Sequence, residues 1–172
     1  MVKTISRQGL GGLAVLLGVA VLNVAPAAAD CTDPPTPGVD YSDCSLGRQN
    51  LAGVNLTGAR LRDASLIRAN LEGSDLSGVE AFHAKFLSAN LRNAILDGAK
   101  LFQADFSRAD LRGASLANAD LRSAAFYNAD LRNANLSGAR LRGTDLTGTR
   151  LTGATWTDGS YTCREGSVGR CN

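Results

Sequence analysis

The chain has 172 residues, with 18 Lys and Arg against 16 Asp and Glu, four cysteines and one histidine. So even a balance gives no reason to expect a polyanionic partner. The length suits one modest domain.

The N-terminal residues 1–29 read as a signal peptide: Lys3 and Arg7 lead, an apolar run follows from Leu10 to Leu22, and Ala27, Ala28 and Ala29 close it. The competing reading is an uncleaved anchor. Residues 8–29 are uncharged, but Gly, Ala and Pro26 dilute them, and a stable span needs about 20 strongly apolar residues. No stable membrane span is therefore expected after cleavage. A lipid anchor on Cys31 is disfavoured because Asp30 stands where a lipoprotein signal carries a small residue. Cleavage removes Lys3 and Arg7 and leaves 16 basic and 16 acidic residues, so the exported chain is neutral and no nucleic acid partner is expected. The location implied is secreted, periplasmic or cell envelope.

Residues 30–45, with "TDPPTPG" inside them, read as an irregular N-terminal cap, and residues 162–172 as a C-terminal one. The cysteines sit in these ends: Cys31 and Cys44 before the repeats, Cys163 and Cys171 after them. An even number in an exported chain points to disulfides. Of the three possible pairings, Cys31 with Cys44 and Cys163 with Cys171 needs no long-range closure. Each bond then constrains a short loop, worth roughly 2–3 kcal/mol. No pair has metal-binding CxxC spacing, and no metal is expected.

Between the caps, residues 46–161 carry a large apolar residue at every fifth place: 24 sites, of which 18 are Leu. The others are Ala81, Phe86, Phe106, Phe126, Trp156 and Tyr161. Neither a helix, with period 3.6, nor a strand, with period 2, places such residues on one face. Two places before each site lies a small residue, Ala in 16 of 24 cases. Asn, Asp or another polar residue usually precedes the site, and Gly, Asn or Ser recurs two places after it. This is the mark of a solenoid built from short extended segments and corners. A second period counts the sides. Phe86, Phe106 and Phe126 are twenty apart, as are Arg92, Arg112 and Arg132, so four pentapeptides make one coil. Residues twenty apart then stack at about 4.8 Å.

Stretches such as "ADLRGASLANADL" and "ANLSGARL" resemble the A(D/N)LXX pattern of the pentapeptide repeat family. The resemblance implies an all-β fold, a right-handed quadrilateral β-helix of about six coils, with the large and small residues pointing inward. The family's best-known activity is inhibition of DNA gyrase by members that mimic duplex DNA in shape and negative charge. A neutral chain with an export signal departs from that pattern, so a gyrase-directed mimic stands only as an alternative.

No catalytic constellation emerges. His83 falls at a corner with no serine or cysteine arranged around it. Asp105, Asp110, Asp120, Asp130 and Asp145 occupy the place before the large residue, where Asn exchanges freely, which suits hydrogen bonding to turn backbone better than metal or acid–base chemistry. The column Arg92, Arg112, Arg132 has Asp110 and Asp130 beside it and Glu72 below, a charge-compensated face rather than a phosphate stripe. The chain is thus expected to be a non-enzymatic exported solenoid without cofactor, a protein-binding or structural module; a metal-binding or enzymatic solenoid is the other alternative. The place after the large residue faces solvent and is mostly Arg, Ser, Thr or Ala. Ile67, Phe82, Leu87 and Phe102 break this rule in stacked pairs on successive sides. They form the candidate interface, around one edge, for an unknown protein partner or for self-association.

Overall fold

The computed structural model describes residues 31–172. The signal peptide expected at 1–29 lies outside the described residues. Parallel bridges join positions twenty apart without interruption, from Asp40 with Arg60 to Asn135 with Thr155. One coil therefore takes four pentapeptides, and the four-sided register is present throughout.

Each side is so short that only the polar residue before the large one forms a bridge, and the rest of the pentapeptide makes the corner. In the pentapeptide of Leu66, the Ser65 N–H donates to the Cys44 carbonyl of one coil at 2.8 Å, while the Leu66 N–H donates to the Lys85 carbonyl of the next at 2.7 Å. The Arg68 N–H donates to the Leu87 carbonyl at 3.0 Å, and the Ala69 N–H closes the corner on the Leu66 carbonyl at 3.0 Å. Four of the five amides are thus satisfied without a conventional strand.

The corner explains the Gly and Asn preference. The second residue of each turn from Arg48 to Gly153 has positive φ, from 54° at Asn93 to 76° at Gly153, as a turn with a left-handed third residue requires. Asn at this place has a further role. A methyl group on Gly148 would lie 2.0 Å from Asn128 Oδ1, and on Gly138 2.3 Å from Asn118 Oδ1. Asn93, Asn118, Asn128 and Asn133 are each followed by Gly twenty residues later, so each Asn side chain covers the bare corner above it. Gly58, by contrast, has nothing within 4 Å of such a methyl. Gly58→Ala is expected to cost only the left-handed strain of about 1–2 kcal/mol. Gly148→Ala should cost about 1 kcal/mol more, because Asn128 must swing away. Urea unfolding of the two variants measures the difference, and adding Asn128→Ala should abolish it.

The core is the interior of the prism. Leu and Ala alternate inward, and Phe86, Phe106 and Phe126 are fully buried. Their rings stack with centroids 4.7 Å and 4.9 Å apart and planes within 9°. Among the described residues no buried side-chain N or O atom lacks a hydrogen bond.

The regular register starts ahead of Leu46. Asp40 already bridges Arg60, and Tyr41 is buried in the column of Leu61, its hydroxyl donating to the Asp33 carbonyl. Pro34, Pro35 and Pro37, which lack amide hydrogens, stop the pairing there. Cys31 is bonded to Cys44 across the turn, with Cα atoms 5.5 Å apart. At the other end the chain reverses: Thr155 pairs with Thr162 and Arg150 with Val168, both antiparallel. Cys163 bonded to Cys171 pins this segment. The local pairing of all four cysteines agrees with the sequence expectation. Tyr161 does not follow its register: it is 38% exposed instead of inward, because the chain has doubled back and the Trp156 N–H donates to the Tyr161 carbonyl in place of a parallel rung.

Candidate binding surface

The four sides differ in chemistry. The first side contains the pentapeptides of Tyr41, Leu61, Ala81, Leu101, Leu121 and Leu141; the second starts at Leu46, the third at Leu51 and the fourth at Leu56. Within the repeats, the fourth side carries Asp75, Asp97 and Asp158 and no Lys or Arg. Every cationic side chain of the solenoid lies on the other three sides or their corners.

The third side holds the arginine column. The Arg112 guanidinium binds Asp110 through two hydrogen bonds, and Arg132 binds Asp130 likewise at 2.9 and 2.7 Å. Arg150 lies 3.3 Å from Asp130, and Arg112 reaches it at 3.9 Å. The charge is compensated, as anticipated for Arg112 and Arg132. Among the described residues no ion pair reaches Arg92. Lower in the same side, Asn90 donates to Asn70 and Asn70 to Asn50, each at 2.9 Å, an amide ladder along the stack.

All five aspartates singled out by spacing hold their turn. The Oδ1 atoms of Asp105, Asp110, Asp120, Asp130 and Asp145 accept from the backbone N–H two residues on, at 2.8 to 3.4 Å. The Arg112 side chain on Asp110 holds that carboxyl below the usual range, and Arg122 does the same to Asp120. For Asp130 burial pulls the pKa upward, but hydrogen bonds from Arg132 and the charges of Arg150 and Arg132 outweigh it. Its pKa is therefore lowered in the folded state, and the stability it contributes is present above the unfolded pKa near 4 and lost as pH falls through the lower folded value. Melting temperature is expected to fall as pH is lowered below about 4, and Asp130→Asn should flatten that fall while lowering the melting temperature at neutral pH.

His83 is an exposed corner residue with φ of 58°. Its Nδ1 lies 3.3 Å from Asp63 Oδ1 and its Nε2 2.9 Å from Gln103 Oε1, so it is one member of a polar ladder between coils. Among the described residues no group of three or more His, Cys, Asp or Glu is gathered as a metal site.

The four apolar residues of the candidate interface are half-buried. Phe82 and Phe102 lie one coil apart on the corner between the first and second sides, flanked by Arg62, whose guanidinium carbon lies 5.0 Å over Phe82, and by Arg122, 5.8 Å over Phe102. Ile67 and Leu87 occupy the next corner, between the second and third sides. The place after the large residue is a turn position, so the two pairs border the second side from opposite edges. They do not share one edge. Phe82 does not fill the space beside Ala81; it stays outside and lines a groove of about 580 Å³ with Lys100, Asp120, Arg122 and Arg140. Three exposed apolar residues were missed: Tyr127, 48% exposed and above Leu87 by two coils, Ile95, 40% exposed on the fourth side, and Val168, 52% exposed in the C-terminal segment. Tyr127 has the same pentapeptide position as Leu87, and that position was the available signal.

The pentapeptide repeats family matches in eight copies, over residues 42–79, 82–113, 99–138 and 114–153. The chain belongs to the pentapeptide repeat family. Members are right-handed quadrilateral β-helices, and the twenty-residue register of this pentapeptide repeat protein agrees. It is similar to HetL of the cyanobacterium Nostoc, a protein involved in heterocyst differentiation regulation, with 38% identity over 72% of this chain and 70% of that one, TM-score 0.48. It is also similar to a pentapeptide repeat protein from the Arabidopsis thaliana thylakoid lumen, with 29% identity over 69% of each chain, TM-score 0.37. A third similarity is to QnrB1, a plasmid-mediated fluoroquinolone resistance protein, with 18% identity over 66% of this chain and 65% of that one, TM-score 0.45. No curated protein matches. Among the described residues no helix is long and apolar enough to cross a membrane.

Proposed function

We propose that this pentapeptide repeat protein is an exported, non-enzymatic solenoid of about six coils that acts as a protein-binding or structural module in the cell envelope or outside the cell. One observation carries the binding reading. Five of the large apolar side chains that reach the surface of the repeats, Ile67, Phe82, Leu87, Phe102 and Tyr127, lie on the two edges of a single side. Exposed apolar residues are common singly, but a gathered set is the usual mark of a contact surface. Arginines over two of the rings add the aromatic–guanidinium chemistry enriched at interface anchors. Export is supported by the two end disulfides, since such bonds persist in oxidising compartments. The test is Phe82→Ser with Phe102→Ser. Oligomeric mass and affinity capture from the exported fraction should change relative to the parent protein; a folded double variant unchanged in both would refute the surface.

A further inference from the structure

The first side carries two outward columns whose symmetry nothing in the core requires. In one, Asp40, Arg60, Glu80, Lys100, Asp120 and Arg140 alternate in sign at every rung, and backbone bridges join each to the next. No other outward column among the described residues alternates in this way. In the second column, the four rungs around the middle read Arg62, Phe82, Phe102, Arg122, a palindrome with a guanidinium closing each end. The two patterns share one centre, between the rung of Glu80 and Phe82 and the rung of Lys100 and Phe102.

A two-fold axis lying in this side, perpendicular to the stack, reverses the order of rungs and sets each column against itself. An alternating ladder with an even number of members then meets its opposite everywhere: Asp40 faces Arg140, Arg60 faces Asp120 and Glu80 faces Lys100. The palindromic column places Phe82 against Phe102. A parallel arrangement would instead set every charge against its own sign. Pairing within one chain, such as Glu80 with Lys100 at 2.7 Å, needs only some acid beside some base. Strict alternation over six rungs adds self-complementarity on reversal.

We infer that the first side is an isologous face on which two copies of this chain associate antiparallel. The inference rests on the reading of Phe82 and Phe102 as contact residues, and names the second copy as their partner. The groove holding Lys100, Arg122 and Arg140 faces the half of the second copy that bears Asp40, Glu80 and Phe82. Arg62 meets Arg122 of the second copy, the one like-charge match, and Asp120 beside that arginine at 2.6 Å offsets it. The strip is about 29 Å tall at the rung spacing and narrow. It is small beside the ~800 Å² per partner of stable complexes, so the dimer is weak and reversible.

Sedimentation of the protein across about 1 to 200 µM, a range suited to a weak complex, should show a monomer giving way to a dimer. Glu80→Lys and Lys100→Glu should each weaken that dimer at least about ten-fold, the effect of one lost favourable contact or more. Mixed in equal amounts they should form a heterodimer, because each copy then supplies the charge the other lacks. Arg60→Glu mixed with Asp120→Lys repeats the test one rung out, and replaces it if either first variant fails to fold. A parent protein monomeric throughout, a dimer indifferent to the single variants, or mixtures that stay monomeric would each overturn the inference. Failure here is distinct from failure of the binding-module reading: a monomer that loses a captured protein on Phe82→Ser with Phe102→Ser sinks only the antiparallel pairing.

Discussion

Replacing Phe106 by Ala is expected to lower the unfolding free energy by about 3–5 kcal/mol, the usual cost of emptying an aromatic site in a rigid core. Phe106 has no exposed surface, and its ring lies between Phe86 and Phe126 at 4.7 and 4.9 Å. The coils above and below are fixed to one another by rung hydrogen bonds on all four sides, so the walls cannot collapse into the void. Offset stacking with two neighbours adds to the area term. Denaturant unfolding measures the change, and a loss under about 1 kcal/mol would contradict an internal phenylalanine column.

Opening the C-terminal cap is expected to have the second largest effect. Cys163→Ser with Cys171→Ser releases a loop with a sequence separation of 8, worth about 2–3 kcal/mol by chain entropy. The consequence reaches further than the bond. The segment it pins supplies the Ser167 carbonyl to the Leu151 N–H at 2.9 Å and the Cys163 carbonyl to the Gly153 N–H at 2.8 Å. Without those acceptors the last coil presents bare backbone and apolar core, an edge that recruits other chains. The double variant should therefore melt earlier and associate at high concentration. Light scattering during a thermal ramp checks both; unchanged melting would show that the cap holds without its disulfide.

The interior of this protein was legible because each inward place admits only a large or a small apolar side chain, and a period of five has no other regular backbone to satisfy it. Phe86, Phe106 and Phe126 then counted the sides. The outward places were harder, since solvent tolerates almost any residue there and the sign of a column appears only when every position is read at intervals of twenty. Tyr127 escaped notice for that reason, as did the alternation from Asp40 to Arg140. The edge on which Phe82 or Leu87 lies depends on the place after the large residue being a turn residue, which periodicity alone does not reveal. Tyr161 kept the period but lost its partner coil, and burial followed the partner. The link from Asn128 to Gly148 is a contact between coils, visible only once the register is known.

Every outward column of this protein requires residues twenty apart to lie side by side, and a cysteine cross-link tests that most directly. Lys85 and Asp105 are joined by a backbone bridge on the second side, at the rung spacing of about 4.8 Å, which falls within the Cα separation that disulfides accept. Lys85→Cys with Asp105→Cys should close under mild oxidation, detected as an intramolecular bond by non-reducing peptide mapping, while Lys85→Cys with Lys100→Cys, on different sides, should remain open. A closed fifteen-residue pair beside an open twenty-residue pair would contradict the four-sided register and every surface assignment built on it.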